Sequence, residues 1–134
     1  METQIIKSGQ KLVNTGQTKE FLKALYPVNY FLPYPLTDSQ IEDWAKFIKK
    51  TEPEITPARL DIIFEQFATG KIPFDAKIGI RNIFIGFRKI TKDRLSYLNN
   101  NFLSRGLMTP ELQVEKKMLL SILEKFVNEN ELTC

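Results

Sequence analysis

The sequence predicts an all-α fold: a small single-domain bundle of about five or six helices, with an irregular aromatic and proline segment at 26–36. Two observations support this class. Threonines that can cap helices precede segments with helical apolar spacing, and prolines or glycines mark the ends of those segments. The chain of 134 residues, 43% of them hydrophobic, is also long enough to bury one core.

The N-terminal part of the sequence has weak periodicity. Gly9 and Gly16 break it, so we expect a flexible arm over 1–16 and a single helical domain over 17–134. A short helix is expected from about Thr18 to Leu25.

The next segment, YPVNYFLPYPL, combines three prolines with many apolar side chains. The prolines exclude a regular element, and the apolar side chains predict an extended segment whose aromatic rings pin it across the core. The alternative is an aromatic platform, formed by Tyr26, Tyr30 and Tyr34, on which nucleic-acid bases or a helix of a partner protein would pack.

Two helices are predicted from their capping residues. In LTDSQI, Thr37 and Gln40 can form a capping box, and the helix runs to about Lys50. In ITPARL, Thr56 caps the next helix, a proline takes its first position, and Gly70 ends it. This second helix is expected to bury Leu60, Ile63, Phe64 and Phe67.

The segment Gly70 to Lys92 carries the most information about function. We expect a helix that opens at Asp75, because the apolar residues that follow have helical spacing; a strand over IGIRNIFIGF is the alternative. Thr91 could cap a new helix or lie within the same one, so 76–105 forms either one helix or two. The inward residues of the first part are Ile80, Ile83, Phe84, Phe87 and Ile90.

A continuous helix over this segment would have three further sides. One is a basic edge, a candidate site for nucleic acid or an acidic partner, formed by Lys77, Arg81, Arg88 and Lys92. Another is a glycine edge of Gly79 and Gly86. The third is an apolar pair, Ile78 and Ile85, which either another part of the chain or a partner protein would cover.

The charge distribution agrees with a basic edge here. Residues 71–105 carry eight basic and two acidic residues, whereas 37–70 carry four basic and seven acidic residues. The basic edge could therefore bind an acidic ligand, or it could pair within the protein with Asp38, Glu42 or Asp43.

The last elements follow from similar signals. The helical pattern that begins near Thr91 reaches about Ser104, and Gly106 closes it. Thr109 and Pro110 then open a long helix to about Asn128.

The composition argues against several classes of function. The chain has no histidine, and its one cysteine, Cys134, is the last residue. No nucleotide-binding or metal-binding spacing occurs, so we predict no enzyme, no catalytic or metal-ligating residue and no cofactor. We also expect no membrane span and a cytoplasmic location.

The order of features resembles one known family. LYPVNYFLPYPLT, TDSQIEDWAKFIKK, ITPARLDIIFEQF and GKIPFD follow one another over about residues 20–90. This pattern is similar to that of phage replicative-helicase loaders and related small helical replication proteins. The resemblance implies a helical domain whose partner is a replicative helicase, and it assigns no functional residue.

Two hypotheses of function follow. The first is a non-enzymatic protein-interaction module, an adaptor or loader in the DNA replication of a phage or mobile element. The second is a small nucleic-acid-binding protein that uses the basic edge. The sequence does not define the oligomeric state.

Overall fold

The computed structural model describes the backbone of residues 18–133 and the side chains of 18–125. Over this range the protein contains helices, turns and loops and no strand, which confirms the all-α prediction. The arm predicted at 1–16 lies outside the described residues. The α-helices are α1 (18–25), α2 (Asp38–Thr51), α3 (Pro57–Ala68), α4 (Arg81–Leu98) and α5 (Pro110–Thr133).

The chain divides into two compact units. The first unit ends at Ile80 and contains α1, α2 and α3; the second begins at Arg81 and contains α4 and α5, which pack against each other. The boundary falls within the helix that the sequence predicts to open at Asp75.

The predicted caps of α2 and α3 are confirmed. Thr37 Oγ1 accepts a hydrogen bond from the Gln40 backbone N–H at 3.2 Å, and Gln40 Oε1 accepts one from the Thr37 N–H at 2.9 Å. This reciprocal pair satisfies two donors that a helix start leaves unpaired. Thr56 Oγ1 likewise accepts from the Arg59 N–H at 3.2 Å.

Four phenylalanines form the aromatic core of the first unit. Phe31 stacks on Phe64 with ring centroids 6.1 Å apart, and it also contacts Phe67 at 5.7 Å and Phe74 at 5.4 Å. Phe67 and Phe74 make an edge-to-face contact at 5.2 Å. Phe31 therefore pins the aromatic and proline segment to α3, as the sequence predicted.

The prediction that prolines exclude any regular element at 26–36 is wrong for its first part. Tyr26–Tyr30 form a short 3₁₀-helix, with Pro27 in its first turn. A proline is tolerated there because the first N–H groups of a helix have no partner within the helix.

Tyr26 joins this 3₁₀-helix to the start of α2, because its hydroxyl donates a hydrogen bond to Asp38 Oδ1. That hydrogen bond, together with desolvation and the negative charges of Asp38 and Glu42, raises the pKa of Tyr26 above its ordinary value. The stabilisation is therefore present below the pKa of an unfolded tyrosine and is lost as the pH rises through the higher pKa of the folded state.

We expect Asp38→Asn to lower the pKa of Tyr26 measurably, because the substitution removes both the carboxylate acceptor and its charge. An NMR titration of ring-labelled tyrosines would measure this, with Tyr26→Phe to assign the signal. Glu42→Gln is the matched control: it removes one nearby charge, keeps the hydrogen bond and should shift the pKa less. A larger shift from Glu42→Gln than from Asp38→Asn would contradict this account.

The helix predicted to open at Asp75 does not continue into α4. Asp75 Oδ1 accepts from the Lys77 N–H at 3.0 Å, but this cap serves only the single 3₁₀ turn Ala76–Ile78. Gly79 then adopts φ 55° and ψ −124°, the values of the first central position of a type II′ turn. The α-helix begins only at Arg81, and the strand alternative for this segment is also wrong.

Gly79 lies beside Trp44, the one tryptophan of the chain. Trp44 is half-buried on α2, and a Cβ placed on Gly79 would lie 3.9 Å from its Cζ2 atom. Because this is an ordinary van der Waals distance, the backbone conformation, and not lack of space, explains the glycine at position 79.

No new helix starts at Thr91, because α4 runs through it without a break. The buried Thr91 hydroxyl donates to the Phe87 carbonyl at 2.7 Å, so its polar group is satisfied within α4. The helix then widens into one π-helical segment, Asn99–Leu103. The segment 76–105 is therefore interrupted at Gly79, and α4 passes through Thr91 without a break.

The start of α5 matches the prediction. Thr109 Oγ1 accepts from the Leu112 N–H at 3.2 Å, and Pro110 is the first helical residue. Gly106, with φ 68°, closes the preceding segment. The end differs: α5 extends to Thr133, beyond the predicted end at about Asn128.

Candidate interaction surface

One side of α4 carries most of the residues that the sequence singled out. At 100° per residue, positions 81, 85, 88 and 92 fall within about 60° of one another and span about 16 Å along the helix axis. We call this set the outer face of α4; it consists of Arg81, Ile85, Arg88 and Lys92.

The outer face of α4 is accessible. Ile85 is 49% exposed, Arg81 and Lys92 are exposed, and Arg88 is half-buried. The buried residues of the same helix lie on its other sides and include Ile83, Gly86, Phe87 and Ile90. An aliphatic side chain thus lies exposed among three cations.

The cations of α4 fall into two groups. Lys89 forms an ion pair with Asp93 at 3.0 Å, and Arg94 holds Glu115 of α5 through two hydrogen bonds of 2.7 and 3.0 Å. The hydrogen bonds to Glu115 raise the pKa of Arg94 further, so this group stays charged. The Arg94–Glu115 pair therefore joins α4 to α5, whereas the exposed Lys89–Asp93 pair lies within α4.

The cations of the outer face have no such role. Within the described residues of the second unit, none of Arg81, Arg88 and Lys92 makes an ion pair. Their charge is therefore available to an acidic ligand, unlike the charge of Lys89 and Arg94. The predicted alternative, in which these cations pair with Asp38, Glu42 or Asp43 of α2, stays a prediction.

The structure corrects the geometry predicted for two site residues. Lys77 and Ile78 lie on the 3₁₀ turn of the first unit, so they do not continue the basic edge or the apolar pair of α4. Lys77 is exposed and Ile78 is half-buried. The glycine edge is divided as well, because Gly79 precedes α4 and Gly86 is buried within it. The backbone leaves the helical path at Gly79, so residues before it do not share a helical face with residues of α4.

The first unit contains an open groove of about 560 Å³ that the sequence does not predict. We call it the α3 groove; it is lined by Pro27, Tyr30, Phe31, Asp61, Phe64, Glu65 and Ala68. Four of these residues follow the spacing i, i+3, i+4, i+7 along one side of α3. The sequence shows this spacing but predicts only that Phe64 belongs to the core.

The three tyrosines of the proposed platform differ in their surroundings. Tyr30 and Tyr34 are 88% and 84% exposed, whereas Tyr26 is partly covered and hydrogen-bonded to Asp38. Stacking of bases on these rings stays a prediction.

The described residues offer neither a metal site nor a membrane span. They contain no group of three or more acidic or cysteine side chains arranged to hold a metal ion. No helix among them has the length and apolar character needed to cross a bilayer.

Comparisons with known proteins returned no relative. No family model, no characterised protein and no solved structure matches this chain. Inferences about function therefore depend on the geometry and charge described above.

Proposed function

We propose that this chain is a non-enzymatic protein-interaction module that binds an acidic partner protein through the outer face of α4. The observation that carries the proposal is the exposed Ile85 between Arg81 and Arg88, neither of which has an ion-pair partner in the second unit. A partner would bury Ile85 and place carboxylates beside the cations.

The presence of Ile85 favours a protein partner over nucleic acid. Binding to a phosphate backbone requires cations and hydrogen-bond donors, and an aliphatic side chain adds nothing to it. Covering an exposed isoleucine, in contrast, contributes roughly 25 cal/mol for each Å² of apolar surface removed from water. Nucleic-acid binding through Arg81, Arg88 and Lys92 is the competing function, and the test below includes it.

The identity of the partner is a finer proposal. The resemblance of residues 20–90 to phage helicase loaders points to a replicative helicase, with the chain acting as an adaptor or loader. This part of the proposal depends on the sequence pattern alone.

The proposal predicts that Ile85→Ser reduces partner recovery from a native extract by about tenfold, because it removes the apolar centre of the interface. Quantitative mass spectrometry of proteins retained by the immobilised chain would measure recovery. Val114→Ser is the matched control: Val114 is a β-branched residue on α5, 69% exposed, and its replacement should leave recovery unchanged.

Equal recovery by folded wild-type and Ile85→Ser proteins would rule out the outer face of α4 as the docking surface. A mobility-shift assay with single- and double-stranded DNA and RNA at about 50 mM salt tests the competing function. Nucleic-acid binding that Arg81→Gln/Arg88→Gln abolishes and Ile85→Ser leaves intact would replace the protein-binding proposal.

A further inference from the structure

The α3 groove has an aromatic floor with a fixed arrangement. Phe31 stacks on Phe64 at 6.1 Å with their planes 12° apart, and both rings also contact Phe67. Because these rings hold one another in place, the floor requires no rearrangement before a ligand enters, and a preformed site loses less entropy on binding.

The rim of the α3 groove is negatively charged. Asp61 and Glu65 lie four residues apart on α3, both exposed, and neither carboxylate makes an ion pair or a hydrogen bond among the described residues. Like charges at this spacing repel each other and destabilise a helix by a few tenths of a kcal/mol. A cation bound between them would remove that repulsion.

Tyr30 adds an aromatic ring to the same groove. It is 88% exposed, so packing within the protein accounts for little of its surface. The face of an aromatic ring attracts guanidinium and ammonium groups, and the alkyl part of an arginine or lysine packs well on apolar rings. An aromatic floor, an aromatic wall and two carboxylates together match such a side chain.

We propose that the α3 groove is a second docking site, which takes an arginine or lysine side chain of a basic peptide segment in a partner protein. The alkyl chain would lie on Phe31 and Pro27, and the charged end would meet Asp61, Glu65 and the Tyr30 ring. This inference is independent of the outer face of α4, because the two surfaces lie in different units, carry opposite charge and select opposite ligands.

The test is an NMR titration of the full ¹⁵N-labelled chain with a blocked tetra-arginine peptide at about 50 mM salt, where charge interactions are only partly screened. We expect chemical-shift changes at Tyr30 and along α3 near Asp61 and Glu65. A blocked tetraglutamate peptide should cause no changes at these residues.

Variants then identify the contributing groups. Asp61→Asn/Glu65→Gln should weaken binding of the tetra-arginine peptide about three- to tenfold, since exposed charge pairs contribute modestly. Tyr30→Ser should weaken it about threefold. The matched control is Glu42→Gln/Asp43→Asn, which removes the same charge from exposed positions of α2 and should leave affinity unchanged.

Three results would overturn the inference. The first is an absence of shift changes in the groove. The second is an equal loss of affinity in the α2 control, which would mean that only net charge matters. The third is concentration-dependent self-association, measured by sedimentation, that Asp61→Asn/Glu65→Gln abolishes; the occupant would then be a second copy of this chain.

Discussion

Phe67→Ala is expected to lower the free energy of unfolding of the first unit by about 3–5 kcal/mol, the range found for phenylalanines truncated in a core. Phe67 is 6% exposed and contacts the rings of Phe31, Phe64 and Phe74. Its removal would leave a cavity and would also remove one of the three rings that hold Phe31 in place. Chemical denaturation followed by circular dichroism would measure the change.

Ile62→Ala is the matched control for this prediction. Ile62 lies on the same helix but is 43% exposed, so its truncation should cost less than about 1 kcal/mol. If both variants lose a similar free energy of unfolding, the four-ring cluster contributes no more to stability than an exposed side chain does. The groove variants should likewise leave stability nearly unchanged, because Tyr30, Asp61 and Glu65 are exposed.

Gly79→Ala is expected to lower the free energy of unfolding by about 2–3 kcal/mol, because φ 55° with ψ −124° is a conformation that residues with a Cβ rarely adopt. Crowding contributes nothing, since the nearest atom to the added Cβ is Trp44 Cζ2 at 3.9 Å. The cost arises in the backbone, and an alanine there would favour the continuous helix that the sequence pattern predicts. Thermal and chemical unfolding would measure it.

Gly70→Ala provides the comparison. Gly70 also has a positive φ, 78°, and a Cβ placed on it would contact nothing within 4 Å. Gly70 follows Thr69, the C-cap of α3, a position where glycine with positive φ is common, so the expected loss of stability is about 1 kcal/mol. A larger loss for Gly70→Ala than for Gly79→Ala would contradict the strain assigned to Gly79.

Much of the fold could be predicted from local signals. Thr37, Thr56 and Thr109 each cap a helix as expected, because a cap requires only a few neighbouring residues and is readable in sequence. The four residues expected to be buried on α3 are all buried. Such features depend on hydrogen bonds and periodicity within single helices.

The break at Gly79 could not be predicted in the same way. Glycine is found both inside helices and at turns, and Gly86 in the same segment is helical while Gly79 is not. The difference lies in backbone dihedral angles that the apolar spacing does not encode. The prediction that Lys77 and Ile78 lie on one continuous helix with α4 is wrong for this one reason.

The candidate sites were only partly accessible from sequence. The outer face of α4 follows from helical spacing once the helix start is known. The α3 groove does not, because it combines α3 with Tyr30 and Phe31 of a segment more than 25 residues earlier in the chain. Tertiary packing of that kind leaves no short-range pattern.

The position of Trp44 gives the two units separate optical signatures. The only indole of the chain belongs to the first unit, so tryptophan fluorescence, excited at a wavelength where tyrosine absorbs little, follows the loss of structure there, whereas far-ultraviolet ellipticity follows helices of both units. Superimposable melting curves from the two signals would mean that the units unfold as one cooperative block. If the two curves separate, each unit has its own free energy of unfolding, which these two signals would measure without an added fluorescent label.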